Sequence, residues 1–87
     1  MASFKVIIKQ SVAKDLRRIP KKEVERILKR IEALAVEPRP LGAEKLSGQE
    51  KYRLRQGVYR IIYEIKDEEL VVVVVKVGHR RDVYKSS

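Results

Sequence analysis

The residues of this chain best suited to chemistry are cations at alternating positions. Lys51, Arg53 and Arg55 occupy every second place, and Arg60 follows beyond a glycine. Alternate side chains of an extended strand share a face. These cations therefore point one way, while Tyr52 and Leu54 point the other. In the next segment Tyr59, Ile61, Tyr63 and Ile65 form an apolar side and leave Arg60 on the opposite one. A two-residue hairpin turn at Gln56-Gly57 pairs Leu54 with Tyr59 and Tyr52 with Ile61, and sets Arg53 directly across from Arg60. Like charges opposed in this way cost about 0.2–1 kcal/mol, so folding alone does not explain them. Converging cations suit an anion, with phosphate the natural ligand. A solvated basic face whose arginines splay into water is the other reading of the same residues.

A second group follows near the C-terminus, in Gly78-His79-Arg80-Arg81-Asp82-Val83-Tyr84. Gly78 permits a sharp change of direction, bringing this segment close to the end of the preceding strand. Val83 and Tyr84 can pin the tail to the core. Alternatively, Tyr84 can offer its ring to a nucleotide base, a stacking contact of about 1–3 kcal/mol. His79 by itself reads as a surface or hydrogen-bonded histidine, and Asp67-Glu68-Glu69 as a solvated turn.

The elements that must position these groups are bounded by size and composition. Eighty-seven residues make one domain, 1–87, and 44% hydrophobic content is enough for a folded core. The chain has no cysteine and one histidine, which excludes a disulfide framework and any thiolate or histidine-cluster metal site. No cofactor is expected. Met1 to Lys5 lacks the pattern of a secretory signal, and the apolar run Leu70 to Val75 is far shorter than the ~20 residues that span a bilayer. A cytoplasmic protein with no membrane partner is expected. Lys and Arg number 21 against 12 Asp and Glu, a net charge of +9 with pI near 10.0. Such a field suits polyanions, nucleic acid first among them, although acidic lipid or an acidic protein would answer it too.

Residues 3–9 alternate as a strand. Ser11 is a plausible N-cap for a helix carrying Val12, Leu16 and Ile19. Pro20 interrupts it and suits the first turn of a second helix, whose apolar stripe is Val24, Ile27, Leu28, Ile31, Leu34 and Ala35. Pro38 and Pro40 end that helix, and Pro38 to Gln49 reads as a loop. Strands are expected at 51–56, 58–66 and 70–77, with Val71 to Val75 marking a central strand covered on both faces. The order β-α-α-β-β-β predicts an α+β fold, with two helices on one face of a twisted, mostly antiparallel sheet.

Three stretches together carry a family resemblance. They are Glu44-Lys45-Leu46-Ser47-Gly48, then Tyr52 to Ile65 with its Tyr-Arg-Leu-Arg and Tyr-Arg-Ile-Ile-Tyr steps, then Val77-Gly78-His79-Arg80-Arg81-Asp82-Val83-Tyr84. This pattern resembles the RelE/ParE superfamily of bacterial and archaeal toxins, closest to the RelE-like mRNA interferases, across essentially the whole chain. The resemblance implies a RelE-like, microbial RNase-like fold and a type II toxin with an antitoxin partner, in a toxin–antitoxin hetero-oligomer. It also implies metal-independent cleavage of mRNA in the ribosomal A site, which inhibits translation. Carried over by position, the catalytic set is Lys51, Arg53, Arg60, Arg80 and Tyr84, with Arg55, Arg81 and His79 as further RNA contacts. Some relatives have Lys where Arg53 stands, and the spacing from Arg80 to Tyr84 is shorter than in others.

The implied chemistry suits these residue types. Internal attack requires a deprotonated ribose 2′-OH, a stabilised pentavalent phosphate and a protonated leaving oxygen. Lys51 is the candidate base, since a lysine among cations has a lowered pKa. Arg53 and Arg60 clamp phosphate because guanidinium stays protonated. Arg80 supports the leaving group or transition state, and Tyr84 stacks or relays a proton. Two other functions fit the sequence: a ParE-like inhibitor of DNA gyrase on the same fold, and a non-catalytic basic RNA-binding module. The net charge, with the resemblance, also suits an acidic antitoxin that folds around the basic site.

Overall fold

The computed structural model describes residues 3–46, 48 and 50–83. In chain order the elements are β1 (Lys5–Ile8), α1 (Gln10–Leu16), α2 (Lys21–Ala33), β2 (Glu44–Lys45), β3 (Lys51–Gln56), β4 (Tyr59–Lys66), β5 (Val71–His79) and α3 (Arg80–Val83). The sheet order is β1-β5-β4-β3-β2, with β1 parallel to β5 and every other pair antiparallel. The α+β class and the helix-covered sheet are as the sequence predicts.

One face of the sheet is dry. Val12 of α1, Ile27 and Ile31 of α2, and Leu34 just beyond it meet Leu54, Ile61, Tyr63, Val72, Val74 and Val77 in one cluster. The α2 stripe predicted from helical spacing supplies the helix side of this contact. The helix itself stops earlier than Pro38: Leu34 sits at the C-cap, and the chain turns before the prolines. Lys9 rather than Ser11 occupies the α1 N-cap, with no side-chain capping bond. Pro20 is the α2 N-cap, one place before the helix. The predicted 38–49 loop contains β2, a strand too short to show any periodicity.

β5 is flanked by strands on both sides, as its valine run predicts, but its two faces differ. Val72 and Val74 are buried, whereas Val71, Val73 and Val75 are only half-buried. The two helices occupy one face, so the opposite face stays partly open.

The loop after α2 is tied down by polar contacts over the dry face. Arg39 donates both Nη atoms to Asp67 at 3.0 and 2.8 Å, and its Nε donates to the Tyr52 hydroxyl at 3.0 Å. The Arg39 hydrogen bonds hold the Asp67 carboxyl below the usual carboxylate range. That contribution to stability is present above the ordinary Asp pKa and lost as pH falls through the lowered one. Tyr63 stacks on Tyr52 at 5.8 Å and donates its hydroxyl to Pro38 O at 2.7 Å.

Burial pushes the Tyr63 phenol up to about 12. Its folded-state pKa lies above that of an unfolded tyrosine, so the neutral phenol favours folding up to about pH 10. Stability then declines as pH rises from about 10 towards 12. Spectrophotometric titration of phenolate absorbance is expected to show one tyrosine ionising near 12 in the folded protein, and Tyr63→Phe is expected to remove that step.

Candidate functional site

The cationic residues stand on the open face, opposite the two helices. β3 and β4 are joined through Gly57-Val58, not Gln56-Gly57. Gly57 takes φ +58° at the first central position of the turn, where a Gln would be strained and Gly is not. This moves the register from the one expected. Leu54 pairs with Ile61 rather than Tyr59, and Tyr52 with Tyr63 rather than Ile61. Arg53 lies opposite Ile62, and it is Arg55 that lies directly across from Arg60. The like-charge apposition is therefore real, but between different partners.

Three rows cross this face. Lys51 pairs with Glu64, which pairs with Val73, so the candidate base has an acid directly opposite. Arg53 pairs with Ile62, which pairs with Lys76; Ile62 is only 7% exposed, an apolar floor beneath that row. Arg55 pairs with Arg60, which pairs with Gly78. A Cβ built at Gly78 would lie 3.2 Å from Val83 Cγ2, so the missing side chain lets α3 close onto the sheet here. Val83 is buried, as a pin for the tail requires.

The Arg80 backbone N–H donates to Val58 O at 2.7 Å, joining the start of α3 to the hairpin turn. Arg80 and Arg81 are exposed beside that turn. His79 pairs with Tyr59 in the ladder, with their rings edge-on at 6.0 Å. Its Nδ1 accepts from the Arg81 N–H at 3.2 Å, which leaves Nε2 to carry the proton of the neutral ring. Lys51, Arg53, Arg55 and Arg60 thus share one surface, and the backbone brings Arg80 to its edge. Tyr84 lies outside the described residues.

The arginines already have internal partners. Arg60 Nη1 donates to Gly57 O and Tyr59 O, both at 2.9 Å, bracing the turn. Arg53 Nη2 donates to Glu44 Oε2 at 2.8 Å, and Arg55 Nη2 lies 3.7 Å from Glu44 Oε1. Glu44 was not singled out by alternation, because the two-residue β2 has no pattern to read; only its pairing with Arg53 brings it here. Lys76, likewise missed, is 3.4 Å from Asp15 of α1. A cleft of about 350 Å³ opens beyond the end of β1 instead, lined by Asp15, Arg18, Lys76, His79 and Asp82 among others. Of the predicted residues that are described, only His79 borders it.

The family model for the ParE toxin of the type II toxin–antitoxin system parDE matches residues 6–84. The mRNA interferase toxin RelE of Escherichia coli is 33% identical over 79 residues, covering 85% of this chain and 82% of that protein. A RelE toxin of Methanocaldococcus jannaschii is 29% identical over 87 residues, covering 95% and 97%. Among solved structures, the archaeal RelE–RelB complex of Pyrococcus horikoshii superposes with TM-score 0.81 at 32% identity, covering 90% of this chain and 96% of that one. With its fold and its toxin relatives in agreement over nearly the full length, the chain belongs to the RelE/ParE superfamily and is a RelE-like toxin of a toxin–antitoxin system.

Proposed function

We propose that this toxin is a metal-independent endoribonuclease that cuts translated mRNA in the ribosomal A site. The observation that carries the reading is the single open sheet face holding Lys51, Arg53, Arg55 and Arg60, with Arg80 tied to its edge. The E. coli relative, named an mRNA interferase, supports the same activity. In the proposed step the ribose 2′-oxygen attacks the adjacent phosphorus and the bond to the 5′-oxygen breaks, leaving a 2′,3′-cyclic phosphate and a 5′-hydroxyl. Lys51 takes the 2′-OH proton. Arg53 and Arg60 hold the phosphate oxygens as charge builds. Arg80 supports the leaving 5′-oxygen, which takes up a proton from water directly or relayed through the Tyr84 hydroxyl, whose ring otherwise stacks on the base. Arg55, Arg81 and His79 bind flanking RNA. Because Arg53 and Arg60 have internal partners, they must be re-aimed by substrate, which suits activity on RNA held by the ribosome and little on free RNA.

The P. horikoshii relative is seen with RelB, and the net charge of +9 supports an acidic antitoxin that covers the basic face here. A cytoplasmic site of action follows from a ribosomal target. Among the described residues no helix is long and apolar enough to cross a membrane.

The matching ParE model favours one second reading, inhibition of DNA gyrase. Primer extension on mRNA translated with purified toxin, run beside a gyrase supercoiling assay, separates the two. Cuts within the A-site codon with supercoiling intact are expected. Blocked supercoiling without cuts would transfer the assignment to gyrase.

A further inference from the structure

The open face carries an anion of its own. Glu44 bridges two guanidiniums, accepting from Arg53 at 2.8 Å and approaching Arg55 at 3.7 Å. A carboxylate offers a guanidinium paired oxygens much as a phosphate does, so this one stands where an RNA phosphate would stand between the same two arginines. It also offsets the repulsion between Arg55 and Arg60, which face each other across β3 and β4. Its support is slight: β2 is two residues long at the sheet edge, and the Glu44 side chain is 50% exposed. The contact can part without opening the core.

The geometry points to Glu44 as an internal stand-in for an RNA phosphate, occupying the Arg53–Arg55 position in the free protein and giving way when RNA binds. The inference rests on the RNA-directed reading above and deepens it. A polyanion with several phosphates on the face displaces the carboxylate, whereas a ligand offering one weak anion does not. Glu44 thereby sets a threshold for what the face accepts. A carboxylate that merely held β2 in place would leave RNA affinity unchanged, or lower it by freeing the arginines.

The test is binding of a short fluorescein-labelled single-stranded RNA, followed by anisotropy across a range of KCl concentrations. Glu44→Gln is expected to tighten binding by about two- to fivefold, the span of an exposed ion pair. The slope of log K against log salt is expected to steepen by about 0.7, one further phosphate contact on a single strand. Glu68→Gln removes the same charge from beyond Lys66, itself four residues along β4 from Ile62, the partner of Arg53, which at ~3.3 Å per residue is about 13 Å of strand against a screening length of ~10 Å, and is expected to change neither quantity. Unchanged or weaker binding by Glu44→Gln would overturn the inference, as would equal tightening by Glu68→Gln.

A measurement on the unaltered protein does not depend on any variant folding. The Glu44 carboxyl carbon resonance is expected to move on saturation with RNA, and a stationary signal counts against displacement. The two readings also fail separately. Tightening by Glu44→Gln without cuts in translated mRNA removes the ribonuclease and keeps the stand-in; cuts without tightening do the reverse.

Discussion

Replacing Arg60 with Ala is expected to lower cleavage of ribosome-bound mRNA by about 10²–10³-fold, the usual cost of deleting one donor to a transition-state oxyanion, once ribosome-held RNA has drawn the guanidinium onto the phosphate. Binding to RNA should fall by about tenfold or less, since one phosphate contact among several is lost. The difference arises because charge on the phosphate grows only as the 2′-oxygen attacks, and a cation drawn onto that phosphate is worth more to the transition state than to bound substrate. Arg60 Nη1 also braces the hairpin through Gly57 O and Tyr59 O. That local role is worth roughly 1 kcal/mol of stability per hydrogen bond. Single-turnover cleavage, RNA binding and thermal melting on the same preparation separate these effects. Arg60→Lys, which keeps charge but not the planar fork, should recover binding better than cleavage. Equal losses of binding and cleavage in Arg60→Ala would instead identify a non-catalytic RNA-binding module.

The second large effect lies directly beneath the site. Leu54 is 1% exposed, pairs with Ile61 and sits between Arg53 and Arg55 on the strand that presents them. Leu54→Ala removes buried methyl groups and leaves a cavity, for about 2–5 kcal/mol. A domain of this size has roughly 5–15 kcal/mol in total, so a large share goes with one side chain. At about 4–8 °C per kcal/mol, the melting midpoint is expected to fall by at least ~8 °C. Circular dichroism melts and urea titration check it, with a lower midpoint concentration and an unchanged m-value. A fall of under about 2 °C would mean that β3 and β4 are held chiefly by other contacts.

Much of this molecule was legible in its residue order. Period-two alternation placed β3 at Lys51–Gln56 and put Lys51, Arg53, Arg55 and Arg60 on the face away from Leu54 and Ile61. Helical spacing selected Ile27, Ile31 and Leu34 for the core. Those assignments are local, because each depends only on where a side chain points along its own element. They also survived a wrong turn. Moving a two-residue hairpin turn by one residue shifts every partner by two places. Since the side-chain period is also two, the faces stay correct while the partners change.

Partners are what tertiary structure decided. Arg55 rather than Arg53 faces Arg60 because Gly57 supplies the left-handed first position of the turn. Arg39 reaches Asp67 across 28 positions, and Glu44 meets Arg53 across nine, through a strand too short to announce itself. Alternation along the chain records solvent exposure, and so carries the core and the charged face. It carries no record of which distant side chain will lie alongside, because that is settled only when turns, caps and chain reversals close the sheet.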